Sequence, residues 1–262
     1  MTWHRLPAAP RMIVHGSSGR SATSVKALAG TSDWRRALLD TLGVGMLAAV
    51  GANRLPSTDW PHWPPTGWHA LDAELGRRLP GFRILGAVVP RQPDRHRLSL
   101  LAGMSGNTIV VKLGRPNDGL EREALVLDML ARNPLPSIAT AALLDAGTIE
   151  IEGHAVAFLA SSGLSMRRQR PAIDEPLRTF QSDLAERLSG LPQPDDADSQ
   201  STDGLVPVHG DLTSWNLRRT PRGLVLFDWE SAGWGAPGSD LARYRRSCDE
   251  IRRPWTHRRS GQ

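Results

Sequence analysis

Two apolar runs separated by five residues constrain this chain more than any other feature in it. Arg97–Ala102 and Thr108–Leu113 flank the connection Gly103-Met104-Ser105-Gly106-Asn107. So short a connection joins strands only in antiparallel pairing, because a parallel crossover needs a dozen residues or more. The second run, TIVVKL, is rich in β-branched residues, and the two glycines suit the turn. An earlier apolar run, Phe82–Val89, ends at Pro90 and is followed by the turn cluster PRQPDR. The pattern predicts three strands in an antiparallel meander.

A helix is predicted next. Leu120, Ala124, Leu127 and Leu130 follow the 3.6 period, while Glu121, Arg122 and Asp128 take the other face. It stops near Asn133-Pro134. Two further strands, around Thr148–Ile151 and Ala155–Leu159, turn at Glu152-Gly153. The order is strand, strand, strand, helix, strand, strand.

The flanks read less clearly. Residues 1–22 show no useful period. Asp33 is placed to cap a helix through Trp34, Ala37, Leu38, Thr41 and Leu42. Four prolines between Pro56 and Pro65 forbid a regular helix or central strand there. The three tryptophans Trp60, Trp63 and Trp68 in this stretch suit packing better than a ligand patch. A short helix from His69 to Leu79 follows. After a polar connector, Ser161–Arg170, Leu177–Leu188 is helical in pattern. Residues 191–204 have almost no apolar content and read as a flexible loop. Leu205–Val208 is apolar again, His209–Asn216 is a loop, and Leu224–Phe227 is a short strand. Ser239 or Asp240 caps a last helix, and the end of the chain, CDEIRRPWTHRRSGQ, has no apolar period.

Charge excludes one class of function. The chain has 32 Lys+Arg against 27 Asp+Glu, a formal +5. That excess lies entirely in residues 241–262, so the rest is formally neutral and lacks the clustered cationic footprint of a nucleic-acid binder. The one cysteine, Cys248, excludes an internal disulfide framework and any cysteine-based zinc site. No apolar run is long enough for a membrane span, and no secretory signal is read at the N-terminus, so the cytoplasm is expected.

Two segments concentrate the chemistry. VHGDLTSWNL carries His209, Asp211 and Asn216, and VLFDWE carries Asp228 at the end of an apolar run. Magnesium takes hard oxygen ligands, often one or two carboxylates plus substrate phosphates. A β-hairpin between the segments would set Asn216 beside Asp228 as such ligands. Asp211 would remain to take a proton from a hydroxyl. Each residue alone is more often a turn former or helix cap; the joint order is specific. Lys112 adds to it. Only two cations are lysines, Lys26 and Lys112, and Lys112 lies inside the strand TIVVKL. A compact ammonium suits phosphate oxygens. Glu123, next to the apolar stripe of the following helix, is the expected partner. Glu121 lies about 200° around the helix from it, at roughly 100° per residue. For Lys112 alone the competing role is an edge-strand gatekeeper. A metal-dependent hydrolase built on His209 and Asp211 would need further His or Asp ligands that HGD does not supply.

With these residues the chain resembles the aminoglycoside phosphotransferase and choline kinase-like enzymes, over about residues 81–244. WRRALLDTL, REALVLDML and the LTSWNL and DWE flanks also look like uncharacterised actinobacterial phosphotransferase-like proteins. The resemblance implies an α+β, protein-kinase-like two-lobe fold. Its N-lobe would be a small antiparallel five-stranded sheet with one helix, over a mostly helical C-lobe. It implies an irregular extension with one helix over 1–70, the N-lobe over 71–165, and a shortened C-lobe with a basic tail over 166–262. It implies transfer of phosphate from ATP (GTP being the alternative) with Mg²⁺ to a hydroxyl of a small aminoglycoside-, choline- or sugar-type molecule. Lys112 becomes the ligand of the ATP phosphates, Glu123 its ion-pair partner and Asp211 the catalytic base. Asn216 and Asp228 become the magnesium ligands, and His209 a structural residue of the catalytic loop. The sequence departs from the kinase pattern in lacking G-x-G-x-x-G between the first two strands and in placing Glu230 where D-F-G has glycine. The few residues after Asp240 favour, as an alternative, a degenerate nucleotide-binding or interaction module.

Overall fold

The computed structural model describes residues 3–6, 9–15, 57–89, 96–163, 167–168, 175–193, 204–220 and 223–252. The expected helix through Trp34–Leu42, the PRQPDR turn, most of the polar loop before Gly204 and the end of the basic tail lie outside these residues. In chain order the strands begin with β1 (Trp3–Leu6), β2 (Ala9–His15), β3 (Ser57–Thr58), β4 (Arg83–Val88) and β5 (Leu98–Met104). Then come β6 (Asn107–Gly114), β7 (Ile138–Thr140), β8 (Leu143–Ile151), β9 (His154–Ser162) and β10 (Arg167–Arg168). The last are β11 (Val206–Val208), β12 (Leu217–Thr220), β13 (Gly223–Leu226) and β14 (Gly233–Gly235). The helices are α1 (Trp68–Arg78), α2 (Leu120–Arg132), α3 (Glu175–Arg187) and α4 (Ser239–Arg252). The chain divides into two compact units, Met1–Ala124 with Ala141–Ser165, and Leu125–Thr140 with Met166–Gln262. The division falls inside α2.

The first unit is built on one antiparallel sheet in the order β3-β1-β2-β4-β5-β6-β9-β8. The predicted meander is its centre. Ser105 (φ 48°) and Gly106 (φ 84°) form the two-residue turn between β5 and β6, with Met104 opposite Asn107. Two successive positive φ values are the backbone of a type I′ hairpin turn, whose twist matches that of the strands. Helix α1 buries Leu71 and Leu75 against the sheet, and Asp72 Oδ1 accepts the Ile84 N–H at 2.9 Å.

The sheet has eight strands where five were expected, because the first residues are not irregular. β2 pairs with β4, Ile13 opposite Ala87, and β1 pairs with β2. Ile13 and Val14 are both buried, as are Trp3 and His4. Neighbouring residues buried in succession leave no alternation for a sequence reading to find. The proline–tryptophan segment packs on this core: Trp3 lies 4.8 Å from Trp60 and 5.6 Å from Trp68 between ring centroids, and Trp63 packs on the same cluster.

The second unit holds a four-stranded sheet, β10-β12-β13-β7, and the pair β11-β14. β12 and β13 form the predicted hairpin, Leu217 opposite Leu226. β7 runs parallel to β13, Ile138 opposite Leu224. Helix α3 packs on β11 and α4 and buries Leu177, Phe180 and Leu184. Helix α4 reaches Arg252. Tyr244, Ser247 and Cys248 form its buried stripe; of the terminal segment CDEIRRPWTHRRSGQ only Cys248 belongs to it, and Asp249 and Glu250 are exposed. The i, i+3, i+4 pattern is present, but two of its three members are a serine and a cysteine.

Candidate active site

Within the first unit lies a partly buried ion pair. Along β6, Ile109, Val111 and Leu113 are buried on one face, so Lys112 projects from the other. Its Nζ donates to both carboxylate oxygens of Glu123, at 2.9 and 2.7 Å. Glu123 is only 3% exposed. Glu121 takes a different role: it is exposed, and its Oε1 accepts the Asn117 N–H at the start of α2. Two strong bonds fix the ammonium, and removing either partner would leave the other charge in a poorly solvated place.

Within the second unit, the loop between β11 and β12 carries further candidate residues. It opens at His209, whose ring is fully buried and lies 4.5 Å from the Trp229 ring. His209 Nε2 is 2.9 Å from the Phe227 carbonyl, and Nδ1 is 3.2 Å from the Asp211 amide nitrogen. A carbonyl only accepts and an amide N–H only donates, so the proton sits on Nε2. The neutral imidazole therefore braces the loop against the end of β13. Gly210 follows with φ 78°, and a Cβ there would lie 2.1 Å from the Ser231 carbonyl oxygen. Only glycine fits.

Asp211 and Asn216 meet across this loop. Asn216 Nδ2 donates to Asp211 Oδ2 at 2.9 Å and to the Asp211 carbonyl at 3.0 Å. Both partners are acceptors, so the amide nitrogen faces Asp211 and its oxygen is turned away. The hairpin continues the alignment: the Phe227 N–H donates to the Asn216 carbonyl at 3.1 Å, and Asp228 is the next residue. Asp228 leaves β13 in a left-handed conformation (φ 68°, ψ 60°), which aspartate tolerates better than most residues. One carboxylate oxygen of Asp228 and one of Glu230 lie within 4.8 Å of each other. An outward amide oxygen one residue from the end of a hairpin, with carboxylates just past its other strand, is the hard-oxygen donor set that Mg²⁺ takes. The six residues read from the sequence thus form two groups. Lys112 and Glu123 are in one unit, and His209, Asp211, Asn216 and Asp228 in the other.

Two residues that bond to this loop were not singled out from the sequence. Asp240 is 1% exposed, and its carboxylate accepts the N–H of His209 at 2.7 Å and of Gly210 at 3.0 Å. Burial pushes its carboxyl above the ordinary value, against the opposing pull of the N–H groups of His209, Gly210 and Leu212 and of the Arg243 guanidinium. The sequence marked Asp240 only as a helix cap; its target lies thirty residues back and has no sequence signal. Arg243, one turn further along α4, donates from Nη1 to Asp211 Oδ1 at 2.7 Å. As one of many arginines it could not be singled out. Ser247 completes the support, its Oγ accepting the Ser214 N–H at 2.9 Å.

Residues 157–260 match the phosphotransferase enzyme family, and over that span the resemblance read from HGD and DWE is borne out. No curated protein matches the chain. Among solved structures, one similar chain is the amicoumacin kinase hAmiN in complex with AMP-PNP, Ca²⁺ and Ami. It is 13% identical, with 63% of each chain covered and a TM-score of 0.41. The chain thus spans less than two thirds of that relative. A second is a thermostable mutant of aminoglycoside phosphotransferase APH(4)-Ia in ternary complex with ADP and hygromycin B, 12% identical over 66% of this chain and 75% of that one, TM-score 0.47. A third is the aminoglycoside phosphotransferase APH(3'')-Id from Streptomyces rimosus, 15% identical over 71% and 85%, TM-score 0.46. No described helix is long and apolar enough to cross a membrane.

Proposed function

We propose that the protein is a phosphotransferase that moves the γ-phosphoryl group of ATP, with Mg²⁺, to a hydroxyl of a small molecule. The carrying observation is the pair Asp211–Asn216 in a loop whose backbone is bonded to the buried Asp240. This is a rigid carboxylate aimed from a supported loop, beside an amide oxygen turned away from it. The match of residues 157–260 to the phosphotransferase family supports the same reading.

In this reading Asp211 accepts the proton of the acceptor hydroxyl as its oxygen attacks the γ-phosphorus. Asn216 keeps that carboxylate in position, and His209 and Asp240 keep the loop from rearranging. Lys112, fixed by Glu123, presents its ammonium to the nucleotide phosphates. Asn216 and Asp228 would hold Mg²⁺, which when bound neutralises charge on the phosphates. The protein's work is positioning and electrostatics. Among the described residues nothing favours GTP over ATP. A cytoplasmic location goes with this reading, since a single cysteine needs no oxidising compartment.

Calorimetric titration with Mg·ATP tests the proposal. The wild type is expected to bind, Asp228→Ala to lose binding, and Asp211→Asn to keep binding but lose transfer. A wild type without nucleotide affinity would sink the proposal. Binding without transfer to any hydroxyl compound would favour a nucleotide-binding module instead.

A further inference from the structure

The guanidinium of Arg243 meets the loop at the proposed base itself. Among the described residues it makes one hydrogen bond, Nη1 to Asp211 Oδ1. Its side chain is 47% exposed. A guanidinium carries five N–H donors in a planar fork, so four have no protein partner among the described residues. Arg246, three residues on and so on the same helix face, is exposed as well. Asp211 Oδ2 is already bonded to Asn216. A hydroxyl that reaches Asp211 therefore arrives beside a fixed, half-exposed positive charge whose geometry suits a carboxylate or phosphate.

From this geometry we infer that Arg243 is a specificity-determining residue selecting acceptors that carry an anionic group, carboxylate or phosphate, close to the reacting hydroxyl. The inference rests on the phosphotransferase reading and narrows its substrate class. An anionic substituent bonds the open side of the guanidinium while the neighbouring hydroxyl reaches Asp211. An acceptor with an ammonium group there meets like charge in a partly desolvated place, where repulsion is stronger than in water. The site is therefore built against polycationic acceptors.

The experiment follows transfer of labelled γ-phosphoryl from Mg·ATP to two matched acceptor series. One is glycerate, glycerol and serinol; the other is glucuronate, glucose and glucosamine. In the wild type the anionic member of at least one series is expected to exceed its neutral counterpart in kcat/KM by about tenfold or more. The cationic member should fall below both. Arg243→Gln is expected to erase the anionic-over-neutral ratio, chiefly through KM, and Arg243→Lys to keep part of it. Because the ratio is taken within one protein, a general loss of activity cancels. Equal use of all members, preference for the cationic ones, or an unchanged ratio in Arg243→Gln overturns the inference. So does transfer to none of the six by a protein that binds Mg·ATP. A protein that does not bind Mg·ATP overturns the phosphotransferase reading and this inference with it.

Discussion

Asp240 offers the most direct test of how the loop is held. Its carboxylate is the acceptor for the buried N–H of His209 and of Gly210, with the N–H of Leu212 also bonded to it. A buried donor left without a partner costs about 1–3 kcal/mol. Asp240→Ala abandons all three, a gross loss of about 3–6 kcal/mol even if some are partly re-solvated. Part of this is returned, because burial already disfavours the carboxylate and its removal relieves that cost. A net loss of about 2–4 kcal/mol is expected, a large share of the roughly 5–15 kcal/mol that holds a domain folded. Asp240→Asn keeps one oxygen but turns an N–H₂ toward a backbone N–H, so a loss of about 1–3 kcal/mol is expected. Urea unfolding reads the total. Amide hydrogen exchange at His209 and Gly210 reads the local part and should speed up by about tenfold for each 1.4 kcal/mol. An Asp240→Asn protein with the wild-type midpoint and wild-type exchange at both amides would show that the loop does not depend on this carboxylate.

The same group sets a pH dependence. Its folded-state pKa is raised, so its contribution is fully present below the ordinary carboxylate value of 3.8 and is lost as pH rises through the raised value. The stability advantage of wild type over Asp240→Asn should therefore narrow across that window; urea midpoints that widen with pH would contradict the assignment. Gly210→Ala forces a Cβ to 2.1 Å from the Ser231 carbonyl oxygen and a left-handed conformation on alanine. It is expected to cost about 3 kcal/mol or more and to remove transfer activity, and a near-wild-type melting temperature would refute the close approach. Lys112→Met leaves Glu123 buried without its cation and should cost about 3–5 kcal/mol. Adding Glu123→Gln should restore much of that stability in urea titrations without restoring Mg·ATP binding; recovered binding would show that the pair does not serve the nucleotide.

What the sequence made legible was local. The β5–β6 hairpin follows from two apolar runs and a glycine turn, and α2 from one period. Lys112 and Glu123 could be paired because a strand face and a helix angle are both countable from sequence. The order of His209, Asp211, Asn216 and Asp228 identified the loop because a hairpin of known length links the two segments. The remainder depends on partners distant in the chain. β2 finds its place only through β4, and its buried neighbours hide the period that would mark a strand. Asp240 and a helix cap have the same sequence appearance, because what distinguishes them is the loop packed above the helix. Arg243 has no sequence mark, being one of thirty arginines.

The parallel pairing of β7 with β13 bears on how the protein is made. Ile138 leaves the ribosome 86 residues before its partner Leu224. At about 5–20 residues per second that is a wait of about ten seconds. Throughout it, Leu125–Thr140 is tethered at both ends to segments of the other unit. The second unit thus completes its sheet only when the hairpin emerges, a late, non-local closure of the kind that slows folding. Any attempt to express the second unit alone meets the same limit. A fragment cut to the family-matched span, residues 157–260, lacks β7 and exposes the β13 edge with Leu224, Val225 and Leu226, an invitation to intermolecular pairing. Expression boundaries for the second unit therefore have to include residues 125–140, and with them the intervening segment Ala141–Ser165 of the first unit.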